Sequence, residues 1–426
     1  MASVLQITPH AVFPPRGGRR AFFFLREMAR EHQVVAILPQ TLDSLRGTRE
    51  GYGFPANVDV RSPLDTLPPR TLLDGLPSRL RSALKYRWLR RSWRGPAYST
   101  LLDDYHLIAD ALQRKRIEIV IFDHLETMHC CAPLVRRLSP KSFLMLNAHN
   151  VDSELYAQQL KATAPQDGNS QLLRTYVASR RIETHLSEYV DAFWACSEKD
   201  RDRLDRMNKS QIPGFFVPNG IATELLPFDA NPNKRTLKRL LFCGALNYTP
   251  NRRGLEWFHR AIWPLIRAKD PEIRLAVIGY GAAPHDFTAV RADPAVDFIG
   301  EVDTVAPYYH ETSLSVVPLL QGSGTRVKIL EAMSLGSPVV STTIGAEGIP
   351  AEPGTHIALA DDPAMFAEAI LRLLNDRAFY QNLRQAARQL IEERFDWRIL
   401  GKEINRIIDE VARNSSSLIP ASTPVY

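Results

Sequence analysis

The stretch from residue 318 to residue 349 constrains the fold more than any other part of this 426-residue chain. A β-rich segment leads into Gly322-Ser323-Gly324, an apolar helical segment follows from about Thr325 to Leu335, and Gly336 separates it from Pro338-Val-Val-Ser341. This order predicts a strand, a glycine loop, a helix and a second strand. Such a unit is the repeating element of a parallel α/β sheet.

The glycine loop also predicts an anion site. Small residues let backbone amides face a ligand, and the helix that follows presents free N–H groups and the positive end of its dipole, which suit a phosphate. Arg326 and Lys328 add positive charge at that end. Glu331 lies among apolar residues of the same helix and needs a hydrogen-bonding partner, which the hydroxyls of a ribose would provide.

Together these residues resemble the nucleotide-sugar site of the GT4-type retaining glycosyltransferases (glycosyl transferases group 1). The pattern Gly-x-Gly-x-x-x-Lys-x-Leu-Glu-Ala-Met at residues 322–333 resembles more narrowly their bacterial polysaccharide-assembly branch. Glycines at four strand ends of the second half outline one nucleotide site. The expected donor-binding residues of this half are Gly244, Gly279, Gly281, Gly300, Val302, Gly322, Ser323, Gly324, Thr325, Lys328 and Glu331.

The chain departs from this family at two positions. Ser323 stands where the broader family has a second glutamate that touches the donor sugar, and Ala245 stands where it usually has an arginine. Because a leaving diphosphate needs cations, we expect Arg326 at the phosphate and either Arg252 or Arg253 in place of a family lysine. The resemblance implies retention by front-face attack, with the leaving phosphate taking the acceptor proton.

The length exceeds what one hydrophobic core usually supports, so we expect two domains. The resemblance implies the α/β GT-B fold, in which two Rossmann-like, doubly wound parallel-sheet domains face a central cleft. Residues 1–222 would form an acceptor-binding domain and residues 237–395 the nucleotide-sugar domain, with 222–236 as the hinge. A helix over about 396–413 would pack back on the first domain, and residues 414–426, rich in Ser and Pro, are expected to be disordered.

In the first half, polar residues follow the predicted strands. Gly17 and Gly18 precede a helix and would let the backbone approach the donor, although they are also compatible with a plain turn. Asn147-Ala-His149-Asn150 ends one strand, and the resemblance implies that His149 lies beside the transferred sugar. Alternatively, His149-Asn150 shapes the turn before a helix. Candidate acceptor contacts are His124, Glu126 and Asn150.

Charge and composition bound the partners. The net charge is +6, but residues 78–94 hold seven basic side chains and no acidic one, so the rest of the chain is not basic and no nucleic-acid partner is expected. Residues 78–94 could form an amphipathic helix on a membrane surface, or simply a solvated helix. No signal peptide or membrane-spanning run is recognised, so we expect a cytoplasmic protein, with the inner face of the membrane as one location.

The cysteines at 130, 131, 196 and 243 have no metal-ligand spacing and are interpreted as core thiols. We expect no cofactor and no required metal, with a UDP- or GDP-linked sugar as the substrate.

The predicted function is transfer of a sugar from a nucleotide sugar to a saccharide acceptor, free or lipid-linked, in polysaccharide or glycoconjugate biosynthesis. Two alternatives stay open: a non-catalytic homologue that binds a sugar nucleotide or a partner, and a sugar-nucleotide epimerase.

Overall fold

The computed structural model describes residues 1–9, 19–39, 55–62, 105–162, 170–231, 233–322 and 325–418. The chain forms two compact units. Unit 1 comprises Met1–Val217 and Gly401–Tyr426, and unit 2 comprises Pro218–Leu400. Among the residues that the structure describes, no helix is both long and apolar enough to cross a lipid bilayer.

Unit 1 is built on a seven-stranded sheet within the described residues, in the order β3-β2-β1-β4-β5-β6-β7, and every pairing is parallel. The strands are β1 Ser3–Ile7, β2 Gln33–Ile37, β3 Asp59–Arg61, β4 Ile119–Asp123, β5 Phe143–Ala148, β6 Ala192–Ala195 and β7 Gly214–Phe216. The described helices are α1 Arg19–Met28, α2 Tyr105–Arg114, α3 Leu125–Leu138, α4 Asp152–Ala162, α5 Ser170–Glu183 and α6 Glu198–Met207.

Unit 2 carries a six-stranded parallel sheet in its described part, in the order β10-β9-β8-β11-β12-β13. Its strands are β8 Arg239–Cys243, β9 Arg274–Ile278, β10 Val296–Gly300, β11 Leu314–Val317, β12 Val339–Ser341 and β13 Ala358–Leu359. The helices are α7 Thr249–Trp257, α8 Trp263–Lys269, α9 Thr288–Ala292, α10 Ala306–His310, α11 Val327–Ser334, α12 Pro363–Asn375 and α13 Arg377–Arg394. A helix α14, Trp397–Leu418, begins in unit 2 and continues into unit 1.

The central strands are apolar along their whole length because helices cover both faces of each sheet. All five residues of β4 and all six of β5 are buried. In unit 2, one apolar cluster packs α7, α8 and α12 on one face of the sheet, and a second packs α11 and α13 on the other. The prediction of two doubly wound parallel-sheet domains is therefore confirmed.

Two arginines of α13 hold the C-terminal end of α11. The side chain of Arg384 is buried, and its guanidinium donates to the carbonyls of Gly336 at 3.0 Å and Asn231 at 2.7 Å. Arg388 donates to the carbonyl of Ser334 at 2.7 Å. The bond to Ser334 satisfies a carbonyl that the helix end leaves without an intrahelical partner, and the positive charges complement the negative end of the helix dipole.

The structure differs from the sequence-based boundaries at the C-terminal helix. The described part of residues 222–236, the predicted hinge, is grouped with unit 2, where the carbonyl of Asn231 accepts a hydrogen bond from Arg384; the hinge role stays a prediction. Residues 414–418, expected to be disordered, continue α14, since extending a formed helix costs far less than starting one. Residues 78–94, and 419–426 of the predicted tail, lie outside the described residues.

Candidate functional site

Unit 2 has a pocket of about 250 Å³ at the carboxyl ends of β8 and β11 and at the N-terminal end of α11. This edge is where parallel α/β sheets bind ligands. The residues that line the pocket are Tyr248, Pro250, Asn251, Leu319, Gln321, Gly322, Thr325, Arg326, Val327 and Lys328. Gly322, Thr325, Arg326 and Lys328 were predicted from the sequence, so the structure brings these four together around one space.

The pocket carries two cations from the start of α11. Arg326 occupies the N-cap position of this helix, and Lys328 lies in its first turn. The Nζ of Lys328 donates to Asn251 Oδ1 at 2.7 Å. The pKa of Lys328 is lowered to about 8, mainly by burial; Cys243 opposes the shift, and the positive charge of Arg326 contributes to it. Burial raises the pKa of Tyr248, while the neighbouring Arg326 acts in the opposite direction.

Glycines at the strand ends admit close packing of the backbone. At Gly279 a side chain is excluded, since φ is +152° and a Cβ atom would lie 1.7 Å from the carbonyl oxygen of Gly244. Gly322 has φ of +134°, and a Cβ there would lie 2.7 Å from the guanidinium of Arg326. The chain therefore needs glycine at both positions.

The remaining predicted donor residues lie around this edge. Gly281 follows β9, and Gly300 is the last residue of β10. Val302 is half-buried against the apolar cluster that includes α11. Glu331 is buried on α11, one turn beyond Lys328. Its contact with a ribose stays a prediction. Ser323 and Gly324 lie outside the described residues, as do Gly17 and Gly18, which precede α1.

The two arginines expected in the lysine role are placed differently from Lys328. Arg252 makes two bonds of 2.9 Å to the carboxylate of Asp286 and packs over the ring of Phe287 at 4.9 Å. This pairing holds the pKa of Asp286 below its usual range. Arg253 is half-buried on α7, and neither arginine is among the residues that line the pocket. Lys328, rather than Arg252 or Arg253, lines the pocket together with Arg326.

Sequence reasoning did not select Tyr248, Asn251 or Gln321. The first two belong to Tyr248-Thr-Pro-Asn251, which starts α7 shortly after the glycine that follows β8. A strand, a glycine and a proline-initiated helix form a recognisable sequence signal for this position. Attention to charge alone favoured the adjacent arginines instead.

Unit 1 has a pair of stacked histidines at the ends of β4 and β5. The rings of His124 and His149 have centroids 3.9 Å apart and planes 19° apart. His124 has φ of +71°, which is unusual for a residue other than glycine and marks local backbone strain. The Nε2 of His149 lies 3.7 Å from Asp123 Oδ1. The two predicted histidines therefore form one local group with a buried aspartate.

A chain of buried polar side chains supports this group. Asp123 accepts hydrogen bonds from Gln6 Nε2 at 2.6 Å and from Asn147 Nδ2 at 2.5 Å, and Asn147 Oδ1 accepts from Arg20 Nε at 2.9 Å. Burial raises the pKa of Asp123, while the hydrogen bonds and Arg20 oppose the shift. Burial lowers the pKa of Arg20 to about 10. Sequence reasoning selected none of these four residues, which come from three strands and α1.

Three carboxyl groups meet beside the histidines. Glu126, Asp152 and Glu183 come from α3, α4 and α5. Burial raises the pKa of all three, to about 7 for Glu183 and well above the usual range for Asp152, where the charges of the other two add to the effect. The backbone N–H of Ser153 donates to both carboxylate oxygens of Glu183 at 3.3 Å.

A cavity of about 10 Å³, enough for about one water, is bordered by Asn150, both histidines, Asp152 and Glu183. Of the predicted acceptor residues, His124 and Asn150 thus border the same space, and Glu126 lies near enough to influence Asp152 electrostatically. In the described part of the chain, no three His, Cys, Asp or Glu side chains are arranged to hold a metal ion.

Residues 237–376 match the family model of glycosyl transferases group 1. The matched segment lies within unit 2 and contains the whole described pocket. Among curated relatives, the phosphatidyl-myo-inositol mannosyltransferase of Mycobacterium leprae (strain TN) is 25% identical over 219 residues, which are 48% of this chain and 56% of that protein. The chain spans about half the length of the curated relatives it matches.

Solved structures resemble the chain over nearly its whole length. Sucrose-phosphate synthase from Thermosynechococcus elongatus has a TM-score of 0.67 at 15% identity and covers 96% of this chain and 99% of its own. Anabaena Alr3699/HepE, solved with UDP and glucose, has a TM-score of 0.65 at 12% identity, over 96% of this chain and 100% of its own. With the two parallel sheets, these similarities establish the predicted GT-B fold.

Proposed function

We propose that this protein is a GT4-type glycosyltransferase that moves a sugar from a nucleotide-sugar donor to a saccharide acceptor, free or lipid-linked, with retention of configuration. The observation that carries the proposal is the unit 2 pocket, which places Arg326, Lys328 and the start of α11 around one space of about 250 Å³. The match of this unit to glycosyl transferases group 1 supports it, as does a structural neighbour solved with UDP and glucose.

The chemistry requires stabilisation of the negative charge that develops on the leaving diphosphate. In a pocket of low polarity, fixed cations and N–H donors are worth more than they are in water. We assign this task to Lys328, Arg326 and the first backbone amides of α11. A helix end alone contributes about 0.3 to 1 kcal/mol, a small part of the barrier reduction of about 8 kcal/mol or more that enzymes achieve. The side-chain cations must therefore contribute as well.

Glu331 and His149 complete the assignment. We assign Glu331 to the ribose hydroxyls of the donor. For unit 1 the proposal is that His149, held by its stack on His124 and by Asp123, interacts with the sugar during transfer, and that Asn150 and Glu126 serve the acceptor. The leaving phosphate would take the acceptor proton, so the reaction needs neither a protein nucleophile nor a metal ion.

The first test is isothermal titration of the protein with UDP and with GDP, repeated with Glu331→Ala and Glu331→Gln. One nucleotide should bind, Ala should remove most of the affinity, and Gln, which keeps an acceptor of similar size, should lose less. Binding identifies the base, and a donor series then identifies the sugar by release of free nucleotide. If neither nucleotide binds, the proposal is wrong.

The carboxyl cluster favours a second candidate, a sugar-nucleotide epimerase. Such a reaction needs acid and base groups, and Asp152 and Glu183 border the same small cavity as His124 and His149. Conversion of the donor sugar to its epimer without any acceptor would favour this function. A nucleotide sugar that binds without turnover would instead indicate a non-catalytic homologue.

We also propose a cytoplasmic location with membrane contact through residues 78–94. The proposal rests on the basic and apolar residues of that segment alone. Flotation with vesicles of anionic lipid, compared with neutral vesicles and with a variant in which the segment's arginines are replaced by glutamine, tests it. Equal flotation of the two proteins would refute it.

A further inference from the structure

Asn251 joins α7 to Lys328 in the unit 2 pocket through two hydrogen bonds. Its Nδ2 donates to the carbonyl of Ala245 at 2.8 Å, and its Oδ1 accepts from Lys328 Nζ at 2.7 Å. A carbonyl can only accept and an ammonium can only donate, so the orientation of the amide is fixed by its two partners. The side chain is also buried, at 5% exposure.

Gly244, at the end of β8, lies directly beside Lys328 Nζ and the amide of Asn251. A Cβ atom there would lie 2.5 Å from Lys328 Nζ and 2.8 Å from Asn251 Nδ2. The backbone at Gly244 has an ordinary conformation, so glycine is needed for space rather than for its dihedral angles. Three elements of unit 2, the end of β8, α7 and α11, therefore meet around a single ammonium group.

The partner of this ammonium is a neutral amide. An amide orients a cation without cancelling its charge, whereas a carboxylate would do both. The charged or titratable neighbours that act on the pKa of Lys328 are Arg326 and Cys243, and Tyr248 faces Arg326 across the same pocket. The site thus holds two partly buried cations, which favours an anion of more than one negative charge.

We propose that Asn251 is a positioning residue that fixes the ammonium of Lys328 in the pocket so that it receives the diphosphate of the nucleotide donor. This inference rests on the proposed function, and it adds that Asn251 is the group that holds the Lys328 ammonium in place. Asn251 itself acts through Lys328. A purely structural role, in which Asn251 only ties α7 to the carbonyl of Ala245, predicts a loss of stability without a specific effect on anion binding.

The proposal has a consequence for pH dependence. The protonated form of Lys328 binds the diphosphate, so affinity should be constant below the pKa of about 8 and fall as the pH rises above it. The hydrogen bond to Asn251 favours the charged form, so its removal should lower the pKa of Lys328. The midpoint of the affinity loss should then move to lower pH in Asn251→Ala.

The experiment is titration with UDP and GDP from pH 7 to 9.5, above the second pKa of a phosphate at about 6. The variants are Asn251→Ala, Gly244→Ala, Lys328→Met and the Asn251→Ala/Lys328→Met pair, with Arg260→Ala as an exposed-cation control. At pH 7, Asn251→Ala should weaken nucleoside diphosphate binding about tenfold, the loss of one charge-assisted hydrogen bond. Gly244→Ala, which displaces the same pair, should do likewise.

The double variant distinguishes the two roles. In the Lys328→Met background, Asn251→Ala should change the affinity less than about twofold, because the group through which it acts is gone. Arg260→Ala should bind like the unmodified protein. An Asn251→Ala effect of equal size in both backgrounds overturns the positioning role, and so does an unchanged pH midpoint in the single variant. If the unmodified protein binds neither nucleotide, the proposed function fails as well.

Discussion

The buried carboxyl group of Glu183 makes the stability of unit 1 depend on pH. Its pKa in the folded protein is about 7, against an ordinary value of 4.5. Below pH 4.5 the carboxyl is protonated in both the folded and the unfolded chain, and it costs nothing. Between pH 4.5 and 7 the unfolded chain ionises first, so the free energy of unfolding falls. Above pH 7 the loss is complete.

The magnitude follows from the two pKa values. The full loss is about 3 kcal/mol, and most of it develops between pH 5 and pH 8. Glu183→Gln keeps an acceptor for the Ser153 N–H but does not ionise. The free energy of unfolding of this variant, relative to the unmodified protein, should therefore rise by about 2 to 3 kcal/mol from pH 5 to pH 8.

The assay is urea denaturation at both pH values, with hydrogen exchange of β4 and β5 peptides to report on unit 1 specifically. Effects of the substitution on the free energy of unfolding that do not depend on pH cancel when the two pH values are compared. Glu188→Gln, at an exposed position near the end of α5, serves as the matched control. A relative stability of Glu183→Gln that changes by less than about 0.5 kcal/mol between pH 5 and 8 would refute the reasoning.

Three further predictions concern the two units separately. Arg384→Met should destabilise unit 2 by about 2 to 4 kcal/mol in urea denaturation, because buried carbonyls, including that of Gly336, lose their donors; a change below 1 kcal/mol would contradict this. Gly279→Ala should abolish nucleotide binding, because a Cβ there would collide with the carbonyl of Gly244. At Gly354 a Cβ would meet nothing within 4 Å, so Gly354→Ala should cost only about 1 kcal/mol of backbone strain. Asp123→Ala should lower the turnover number at least about tenfold and leave nucleoside diphosphate affinity within about twofold, since Asp123 belongs to unit 1; equal losses in both would argue against its link to His149.

The sequence predicts the fold well because its signals are local. Apolar strands, glycines at their carboxyl ends and helices of regular period can each be recognised within a few residues, and the ends of β11, α11 and β12 agree with the predicted bounds to within three residues. The start of α11, with Arg326 and Lys328, was found for the same reason. Boundaries were less predictable, as the helical continuation through Leu418 illustrates.

Contacts between distant segments explain what the sequence does not predict. Arg252 is visible as a charge, but its partner Asp286 is 34 residues away, so its neutralisation cannot be read from its neighbours. Asn251 gains its importance from Lys328, 77 residues further along the chain. A polar residue at a helix start is ordinary until the fold places a cation beside it.

The attachment of α11 has a consequence for how this site can evolve. Arg384 and Arg388 hold the helix at the end away from the pocket. The hydrogen bonds that hold α11 in place lie at its C-terminal end, and the pocket lies at its N-terminal end. Selection can therefore change side chains at the pocket without destabilising unit 2. Exchange of residues 321–325 among related chains, which leaves Arg326 and Lys328 in place, is therefore a practical route to new donor preferences on an unchanged scaffold.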